Sequence, residues 1–406
     1  MHPHPSRRVL FFAEAATLAH VGRPLVLARA LAAAGWQVTF ARPTSCAWMT
    51  ANDDFETLDL VCQPAAEFAR RLDAGRPLYD LDTLQRYVAD DLALLERVQP
   101  DLVIGDFRLS LSVSARLAGI PYATICDAYW SPEAPLDPVL PVLPFTRFVP
   151  IPVAERVFRA VAPIAFRLHA RPMEALRRAH GLPGFGHDLR LCYTDADLRL
   201  FANPPELFPD VTPHAGAQFI GPIAWSPPGS LPTGFPDGGH VYVSMGSSGS
   251  TAVLAALFEA LRSSERPVVV TTAGRPTPRP AAPSPIHLHD FLPGEVAMRG
   301  AGLVICNGGS PTTNQALRAG VPVVGIPLNM DQFLNMRAIS RQGLGHSVRA
   351  DRATPGALTH AIALTLGERG CKAAALAFAS GCVSGPFGEA LHALDRLASS
   401  HPSHDR

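Results

Sequence analysis

The chain has 406 residues, of which 47% are hydrophobic and only 17% are charged. Its 35 basic side chains balance 35 acidic ones, so it has no basic excess with which to bind a nucleic acid backbone. A chain of this length predicts two domains. No apolar run reaches the roughly 20 residues of a membrane-spanning helix, and Glu14 interrupts the first one. We therefore expect a cytoplasmic protein whose seven cysteines are free thiols.

Strand and helix patterns alternate through the first part of the chain. The predicted strands are residues 7–15, 36–43, 101–106 and 120–126, and the predicted helices are residues 22–35, 81–100 and 109–119. Strands that alternate with helices of this length form parallel sheets covered by helices on both faces. The N-terminal part is therefore predicted to be a doubly wound α/β domain.

Residues 130–190 interrupt this alternation. They are rich in proline and large apolar side chains with arginines between them, as in the run VLPFTRFVPIPVAERVFRAV. Three interpretations stay open: an irregular insertion that packs on its own domain, the wall of an apolar acceptor cleft, or a surface through residues 138–170 that touches lipid.

A proline-rich and glycine-rich stretch, AWSPPGSLPTGFPDGG at residues 224–239, is the best candidate for a linker. A second α/β series follows it. We therefore predict one domain over residues 1–223, a second over residues 240–385, and a terminal helix within residues 386–406. Ligands of doubly wound sheets bind beyond the carboxyl ends of the strands, so two facing domains predict a cleft between them.

The stretch ICNGGSPTTNQALRAGVPVVGIPLNMDQFLN at residues 305–335 combines a strand, a helix, a second strand and a polar loop. Ser310 or Thr312 can cap the helix, Pro311 suits its first turn, and Gly320 suits its end. A glycine-lined helix start with hydroxyl side chains favours an anion, and phosphate is the first candidate. Asp331 and Gln332 follow the second strand and together suit the hydroxyls of a sugar.

A second small-residue turn, MGSSGS, follows the apolar strand pattern VYVS. Gly246, Ser247 and Ser248 would let a backbone approach an anion closely. The turn lacks the spacing of a Walker phosphate loop and of a hydrolase nucleophile elbow, and the only lysine of the chain, Lys372, lies elsewhere.

His20 follows the first predicted strand, and Asp106 ends another strand of the same domain. An imidazole at this edge could remove a proton at neutral pH, and a carboxylate could orient it. Capping of the following helix is the alternative for Asp106. The close trio His287, His289 and Asp290 seldom surrounds one ion, so we expect no metal.

The ordered set of His20, Asp106, a linker, SMGSSG, FLPGEVAM, NGGSPTTNQAL, GVPVVGIP and DQFLN resembles the inverting glycosyltransferases of the GT-B fold. These enzymes form the UDP-glycosyltransferase superfamily, which includes bacterial natural-product members. The resemblance covers nearly the whole chain and is strongest over residues 287–340. It rests on Gly308, Gly309, Thr312, Ala316, Asp331, Gln332 and Asn335.

The resemblance implies two facing Rossmann-like domains, an N-terminal one for the acceptor and a C-terminal one for a nucleotide sugar. The terminal helix is expected to pack back on the N-terminal domain. His20 would be the base and Asp106 its partner, with no cofactor or metal. The donor-binding residues would be Gly246, Ser247, Ser248, Phe291, Leu292, Asn307, Gly308, Gly309, Ser310, Thr312, Gln315, Asp331 and Gln332.

Three positions depart from the pattern of that superfamily. Asn307 stands where a histidine commonly contacts the diphosphate, Pro311 replaces a glycine, and Gln315 replaces an acid that often binds ribose. A thymidine diphosphate sugar is thus as good a donor candidate as a uridine diphosphate sugar. The acceptor would be a small, largely apolar molecule with a hydroxyl group. The alternatives are a catalytically silent auxiliary protein of the same fold and a sugar-nucleotide 2-epimerase.

Overall fold

The computed structural model describes residues 7–246, 249–367, 369–382 and 387–400. They form two parallel sheets with helices on both faces, which confirms the predicted α/β class with two doubly wound domains. In the first sheet the strands are β1 (Arg8–Ala13), β2 (Gln37–Arg42), β3 (Glu56–Asp59), β4 (Leu102–Asp106), β5 (Tyr122–Cys126), β6 (Leu198–Phe201) and β7 (Ala217–Phe219). Their order is β3-β2-β1-β4-β5-β6-β7.

The second sheet lies in the C-terminal half of the chain. Its strands are β8 (Val241–Ser244), β9 (Val268–Thr271), β10 (Ile286–His289), β11 (Leu303–Cys306), β12 (Val323–Gly325) and β13 (Gly345–Ser347). Their order is β10-β9-β8-β11-β12-β13. In both sheets the strand order reverses beside the first strand, between β1 and β4 and between β8 and β11. Such a reversal opens a crevice at the carboxyl ends of the two strands.

The helices fall into three groups. The N-terminal domain contains α1 (Ala19–Ala33), α2 (Ala65–Asp73), α3 (Leu81–Val98), α4 (Leu111–Ala118), α5 (Ile151–Ala179) and α6 (Leu189–Thr194). The C-terminal domain contains α7 (Leu254–Leu261), α8 (Gly294–Ala297), α9 (Ser310–Arg318), α10 (Met330–Arg341), α11 (Pro355–Gly367) and α12 (Arg369–Gly381). The last helix is α13 (Phe387–Ser399).

The alternating side chains of β1 show why helices cover both faces of the first sheet. Val9 and Phe11 pack into one core with α1, whereas Leu10 and Phe12 pack into another with α3 and α4. All four side chains are fully buried, as expected for a central parallel strand. The apolar face of α13, including Leu394, joins the core that α1 covers. The predicted end of the C-terminal domain at residue 385 lies outside the described residues.

Two predictions about local structure are wrong. Helix α1 begins at Ala19, three residues before the predicted start, so His20 lies in its first turn and not ahead of it. Residues 151–179 form one 29-residue helix, α5, and not an irregular insertion. Proline disfavours the interior of a helix, but Pro163 and Pro172 both lie within α5. The packing of its buried face outweighs their cost, because tertiary contacts supply most of the stability of a helix.

Across the described ranges, none of the helices has the length and apolar character that crossing a membrane would require.

Candidate active site

The reversal point of the first sheet carries the predicted base and its partner. Ala13 and Asp106 are register partners at the ends of β1 and β4, and the chain leaves β1 there to enter α1. Asp106 is fully buried, and its Oδ1 lies 2.7 Å from Nδ1 of His20. The imidazole also stacks on Phe107 with 4.9 Å between ring centroids. The alternative role of Asp106, capping of the following helix, is wrong, because Ser110 precedes α4 as its N-cap.

Arg23 holds the other edge of the same carboxylate. Its Nε donates to Asp106 Oδ2 and its Nη2 to Oδ1, both at 2.8 Å, while Nη1 donates to Asp127 Oδ2 at 2.7 Å. Burial by itself would raise the pKa of Asp106, but the charges and hydrogen bonds of Arg23 and His20 outweigh it and hold that pKa below its ordinary value. Asp106 is therefore ionised and can only accept, so Nδ1 of His20 carries the hydrogen.

This tautomer determines what His20 can do. With Nδ1 protonated, the neutral ring has its lone pair on Nε2, which is the atom able to take a proton. Within the described ranges, Nε2 has no hydrogen-bond partner, and the ring lines a cavity. The arrangement is that of a base oriented by a carboxylate, which is in turn held by an arginine.

The reversal point of the second sheet carries the predicted anion site. Cys306 ends β11, and the next three residues turn the chain into α9. Gly308 has a φ of +83°, and a Cβ there would lie 2.6 Å from Met336 Cγ, so only glycine fits. The Oδ1 of Asn307 accepts the N–H of Gly309 at 3.0 Å, which shapes the turn.

Helix α9 starts at Ser310 with Gly309 as its N-cap and Pro311 in its first turn. The N-cap Gly309 has no side chain with which to cap it, and neither Ser310 nor Thr312 is the N-cap, so the predicted capping by Ser310 or Thr312 is wrong. The first turn leaves backbone N–H groups without intrahelical partners, and these point toward the cleft end of the helix. Across the turn, Gly246 follows β8 with a φ of +59°. Ser247 and Ser248 lie outside the described residues.

Asp331 lies in the first turn of α10 but is bound by the other domain. Tyr129 donates its hydroxyl hydrogen at 3.0 Å and Trp130 its indole hydrogen at 2.9 Å, both to Asp331 Oδ1. Burial and the nearby charge of Asp127 raise the pKa of Asp331. Gln332 is almost fully buried, and its Oε1 accepts the N–H of Leu328 at 2.8 Å, so this end of the amide supports the start of α10.

Two adjoining cavities lie between the domains. The larger, of about 330 Å³, is lined by the polar residues His20, Asp106, Asp331 and Gln332 and by apolar side chains that include Phe68, Phe107, Trp130, Phe158, Phe166 and Tyr193. The smaller, of about 170 Å³, is lined by Gly246, Phe291, Leu292, Asn307, Thr312 and Gln315 among others. Thr17, Ala19, Arg23, Gly309 and Pro311 line both. The cavities therefore meet where α1 faces the start of α9.

Gln315 lies at the wall of the smaller cavity and binds the linker. Its Nε2 donates to the carbonyl oxygen of Trp225 at 2.7 Å, and its side chain is almost fully buried. Its Oε1 is the end of the amide that is left to accept a hydrogen from a ligand. Phe291 is half exposed, and its ring lies 6.1 Å from that of Trp48 of the N-terminal domain.

Four residues of the site were not predicted from the sequence: Arg23, Asp127, Tyr129 and Trp130. Arg23 lies three residues after His20 and so on the same face of a helix, which is a signal that could have been used. Asp127 directly follows the strand pattern of β5. Nothing local marks Tyr129 and Trp130, because their partner Asp331 is about 200 residues away in the chain.

No cluster of three metal-ligating side chains occurs among the residues with a described position. In the trio His287, His289 and Asp290, the carboxylate of Asp290 accepts a hydrogen from the hydroxyl of Thr272 at 3.0 Å.

Two doubly wound domains face each other across a cleft, with an oriented imidazole on one side and a glycine-lined helix start on the other. This is the architecture of the glycosyltransferases of the GT-B fold. Comparison with solved structures supports this architecture. The spinosyn rhamnosyltransferase SpnG superposes with a TM-score of 0.68 over 96% of this chain and 100% of that chain, at 21% sequence identity.

Sequence comparison identifies the family. Residues 255–393 match the family model described as erythromycin biosynthesis protein CIII-like, C-terminal domain. A PGL/p-HBAD biosynthesis glycosyltransferase of Mycobacterium tuberculosis (strain ATCC 25177 / H37Ra) is 43% identical over 353 residues, which are 85% of this chain and 82% of that protein. A PGL/p-HBAD biosynthesis rhamnosyltransferase of Mycobacterium bovis (strain BCG / Pasteur 1173P2) is 41% identical over 350 residues, 85% of this chain and 78% of that protein.

The chain belongs to the family of these relatives, the family 1-like glycosyltransferases, and it is a glycosyltransferase.

Proposed function

We propose that the protein transfers a sugar, with inversion at the anomeric carbon, from a uridine or thymidine diphosphate donor to a hydroxyl group of a small, largely apolar acceptor. The observation that carries the proposal is the 2.7 Å bond between His20 Nδ1 and Asp106, which leaves Nε2 as the basic nitrogen of a ring that lines the larger cavity. Gly309 and Asp331, both predicted donor-binding residues, line that same cavity.

The reaction is a single displacement. His20 Nε2 takes the proton of the acceptor hydroxyl as its oxygen forms a bond to the anomeric carbon. The bond from that carbon to the diphosphate breaks at the same time, and its electron pair leaves with the diphosphate. Asp106 stabilises the imidazolium that forms, and the N–H groups at the start of α9 stabilise the leaving diphosphate. These groups supply the chemistry without a metal or cofactor.

The smaller cavity suits the nucleotide, and the junction of the two cavities suits the sugar. Phe291 offers an apolar face to the base, and Gln315 offers an acceptor to a ribose hydroxyl. Asp331 and Gln332 would bind hydroxyls of the transferred sugar. Because one relative is named a rhamnosyltransferase, we include a rhamnosyl nucleotide among the donors to be tested first.

The acceptor is expected in the larger cavity. Its volume of about 330 Å³ and its lining of Phe68, Phe107, Phe158 and Phe166 suit an aromatic or other apolar molecule with one hydroxyl near His20. The predicted lipid contact within residues 138–170 and the predicted cytoplasmic location stay proposals. Exposed apolar side chains support the first, and the lack of disulfide bonds among the described cysteines supports the second.

A His20→Ala variant tests the role of the base. We expect release of nucleoside diphosphate from donor plus acceptor to fall by about 10²- to 10⁴-fold, the usual contribution of general base catalysis. The thermal stabilisation given by the donor alone should persist, because the imidazole acts on the acceptor. The exposed His360 gives the matched control, and His360→Ala should keep wild-type turnover.

Three results would contradict the proposal. Wild-type turnover in the His20→Ala variant would remove His20 from the chemistry. Donor binding by the wild-type protein without turnover across a broad acceptor panel would identify a catalytically silent protein. Conversion of the donor to its 2-epimer without acceptor would identify an epimerase.

A further inference from the structure

The large exposed apolar side chains of this protein concentrate in one short stretch. Between Phe145 and Leu168 the chain exposes seven of them: Phe145, Phe148, Val153, Val157, Val161, Ile164 and Leu168. Phe148 is 87% exposed and Ile164 is 63% exposed. Apolar side chains scattered singly over a surface are ordinary, but a contiguous group marks a surface that binds something.

Five of these side chains form a stripe along α5, which we call the outer stripe: Val153, Val157, Val161, Ile164 and Leu168. Their spacing of four, four, three and four residues places them on one face of a helix. The stripe runs for about 22 Å at the rise of an α-helix. Since it is aliphatic throughout, it leaves a continuous apolar surface in water.

Helix α5 also has a second apolar face, which is buried. Ala154, Phe158, Ala162, Phe166 and Ala170 pack into the core that α3 and α6 share. The protein thus anchors one side of α5 firmly and leaves the outer stripe without cover from the described part of the chain. A helix that only needed to complete the core would carry polar side chains on its outer side.

Arginines accompany the outer stripe. From residue 145 to residue 173 the sequence has five arginines and one acid, Glu155. Arg156, Arg159, Arg167 and Arg171 are all exposed on α5. This local excess of positive charge contrasts with the chain as a whole, in which 35 basic side chains balance 35 acidic ones. An aliphatic stripe beside cationic side chains is the pattern of a helix that lies in the surface of an anionic bilayer.

We propose that the outer stripe of α5 docks the enzyme on an anionic lipid bilayer, with its aliphatic side chains in the interface and its arginines against lipid phosphates. The proposal rests on the proposed function in one respect: it takes the larger cavity to be the acceptor site. Phe158, Ala165, Phe166 and His169 of α5 line the larger cavity. One helix therefore separates the bilayer from the acceptor site, so an amphiphilic acceptor needs to travel only a short distance.

Charge argues against a second copy of this chain as the occupant. A two-fold dimer joins the same patch of both copies, so arginines of one α5 would face arginines of the other. Arg337 of α10, which is paired with Asp137, lies near Arg159 and adds to the cationic character of this face. An anionic surface complements this field, whereas an identical surface opposes it.

Vesicle flotation tests the proposal with the full-length protein. The vesicles are phosphatidylcholine alone or phosphatidylcholine with phosphatidylglycerol as a minority lipid. We expect binding to the anionic vesicles that weakens as salt is raised. The double variant V157E/I164E should bind the anionic vesicles about tenfold more weakly than the wild type. The double variant R156Q/R167Q should also bind about tenfold more weakly, because each cation near an anionic surface adds to the affinity.

The control is Val61→Glu, which introduces the same acid at a side chain that is 64% exposed but lies outside the outer stripe. It should bind vesicles like the wild type. Equal melting temperatures of all variants show that they fold. Failure of the wild type to bind anionic vesicles would overturn the proposal. It would also be overturned if V157E/I164E lost a dimer that the wild type forms but still bound vesicles. Equal binding to neutral vesicles would overturn the role of the arginines.

Nucleotide release with a water-soluble acceptor separates this proposal from the proposed function. No residue of the outer stripe lines either cavity, so V157E/I164E should keep wild-type turnover of such an acceptor. Turnover without vesicle binding refutes only the docking surface. Vesicle binding without turnover refutes only the proposed function.

Discussion

Trp130 donates its indole N–H to Asp331 Oδ1 at 2.9 Å, and this bond joins the N-terminal domain to the carboxylate that is predicted to hold the donor sugar. The predicted sugar site therefore draws on both domains. Trp130→Phe keeps the ring but removes this donor. We expect the affinity for the sugar nucleotide to fall about 10- to 100-fold, since hydrogen bonds to charged groups contribute about 1.5–3 kcal/mol.

The affinity of the Trp130→Phe variant for the bare nucleoside diphosphate should stay unchanged, because that ligand has no sugar for Asp331 to bind. Titration calorimetry with both ligands measures the difference. Trp48→Phe is the control for the loss of an indole elsewhere, at a partly exposed ring that lines neither cavity. Equal loss for both ligands in Trp130→Phe would contradict a role through the sugar.

The ionised carboxylate of Asp331 is predicted to lower the stability of the folded protein, although the same group is predicted to bind the donor sugar. Burial and the charge of Asp127 raise its pKa in the folded state above the value in the unfolded chain. Its ionisation therefore costs stability as the pH rises from the ordinary aspartate pKa through the raised one, and this cost is absent at lower pH. Asp331→Asn should therefore have a higher melting temperature than the wild type at neutral pH.

The gain in Asp331→Asn should disappear when the melting temperatures are compared below the ordinary aspartate pKa. Turnover should fall at the same time, because the variant has only one acceptor oxygen for sugar hydroxyls. A stability difference that does not change with pH would show that the charge of Asp331 is not its source.

Asp106→Asn is expected to disable the base while leaving the fold. An amide in place of the carboxylate must present its NH₂ group either to Arg23 or to His20, and both are donors at this position. We expect kcat to fall about 10²- to 10⁴-fold with little change in donor affinity. Steady-state kinetics at varied acceptor and donor concentrations measure this.

Asp91→Asn is the matched control for that variant. Asp91 is also fully buried and paired with an arginine, Arg108, at 2.9 Å, but it lines neither cavity. It should lose stability and keep kcat. If both variants lost kcat equally, the effect of Asp106 would be structural.

Gly22 allows the linker to pack on α1. A Cβ at this position would lie 2.9 Å from the side chain of Trp225, which forms part of the smaller cavity. Gly22→Ala should therefore destabilise the protein by about 1–3 kcal/mol and weaken donor binding. Urea denaturation and donor titration test both effects. Gly356→Ala, at a helical position with open space around the new atom, should not be destabilised; equal destabilisation of the two variants would contradict the packing argument.

Much of the fold could be predicted because its signals are local. Strands such as β1 and β11 are short apolar runs, and their alternation with helices implies parallel sheets. The irregular interpretation of residues 130–190 failed at α5, because the prolines of that helix suggest breaks and only its buried face shows what stabilises it. The early start of α1 escaped detection because no side chain caps it.

The predicted site residues of the two domains fall at the two reversal points because carboxyl ends of parallel strands meet at one edge of a sheet. The position of these residues follows from the order of the strands in each sheet, and the spacing of the motifs along the chain can suggest that order. The capping roles considered for Ser310 and Asp106 were wrong. The sequence shows a polar side chain near a helix start but does not show which hydrogen-bond partner that side chain takes.

The sequence by itself determined the class of the protein, the two domains and the imidazole, carboxylate and glycine turns of the cleft, because each depends on neighbours within a few residues. The tertiary structure alone decided that Arg23 joins Asp106 to Asp127, that Trp130 reaches Asp331, and that α5 turns one apolar face inward and another outward. Such contacts join residues far apart in the chain, and only the packing of the elements brings them within bonding distance.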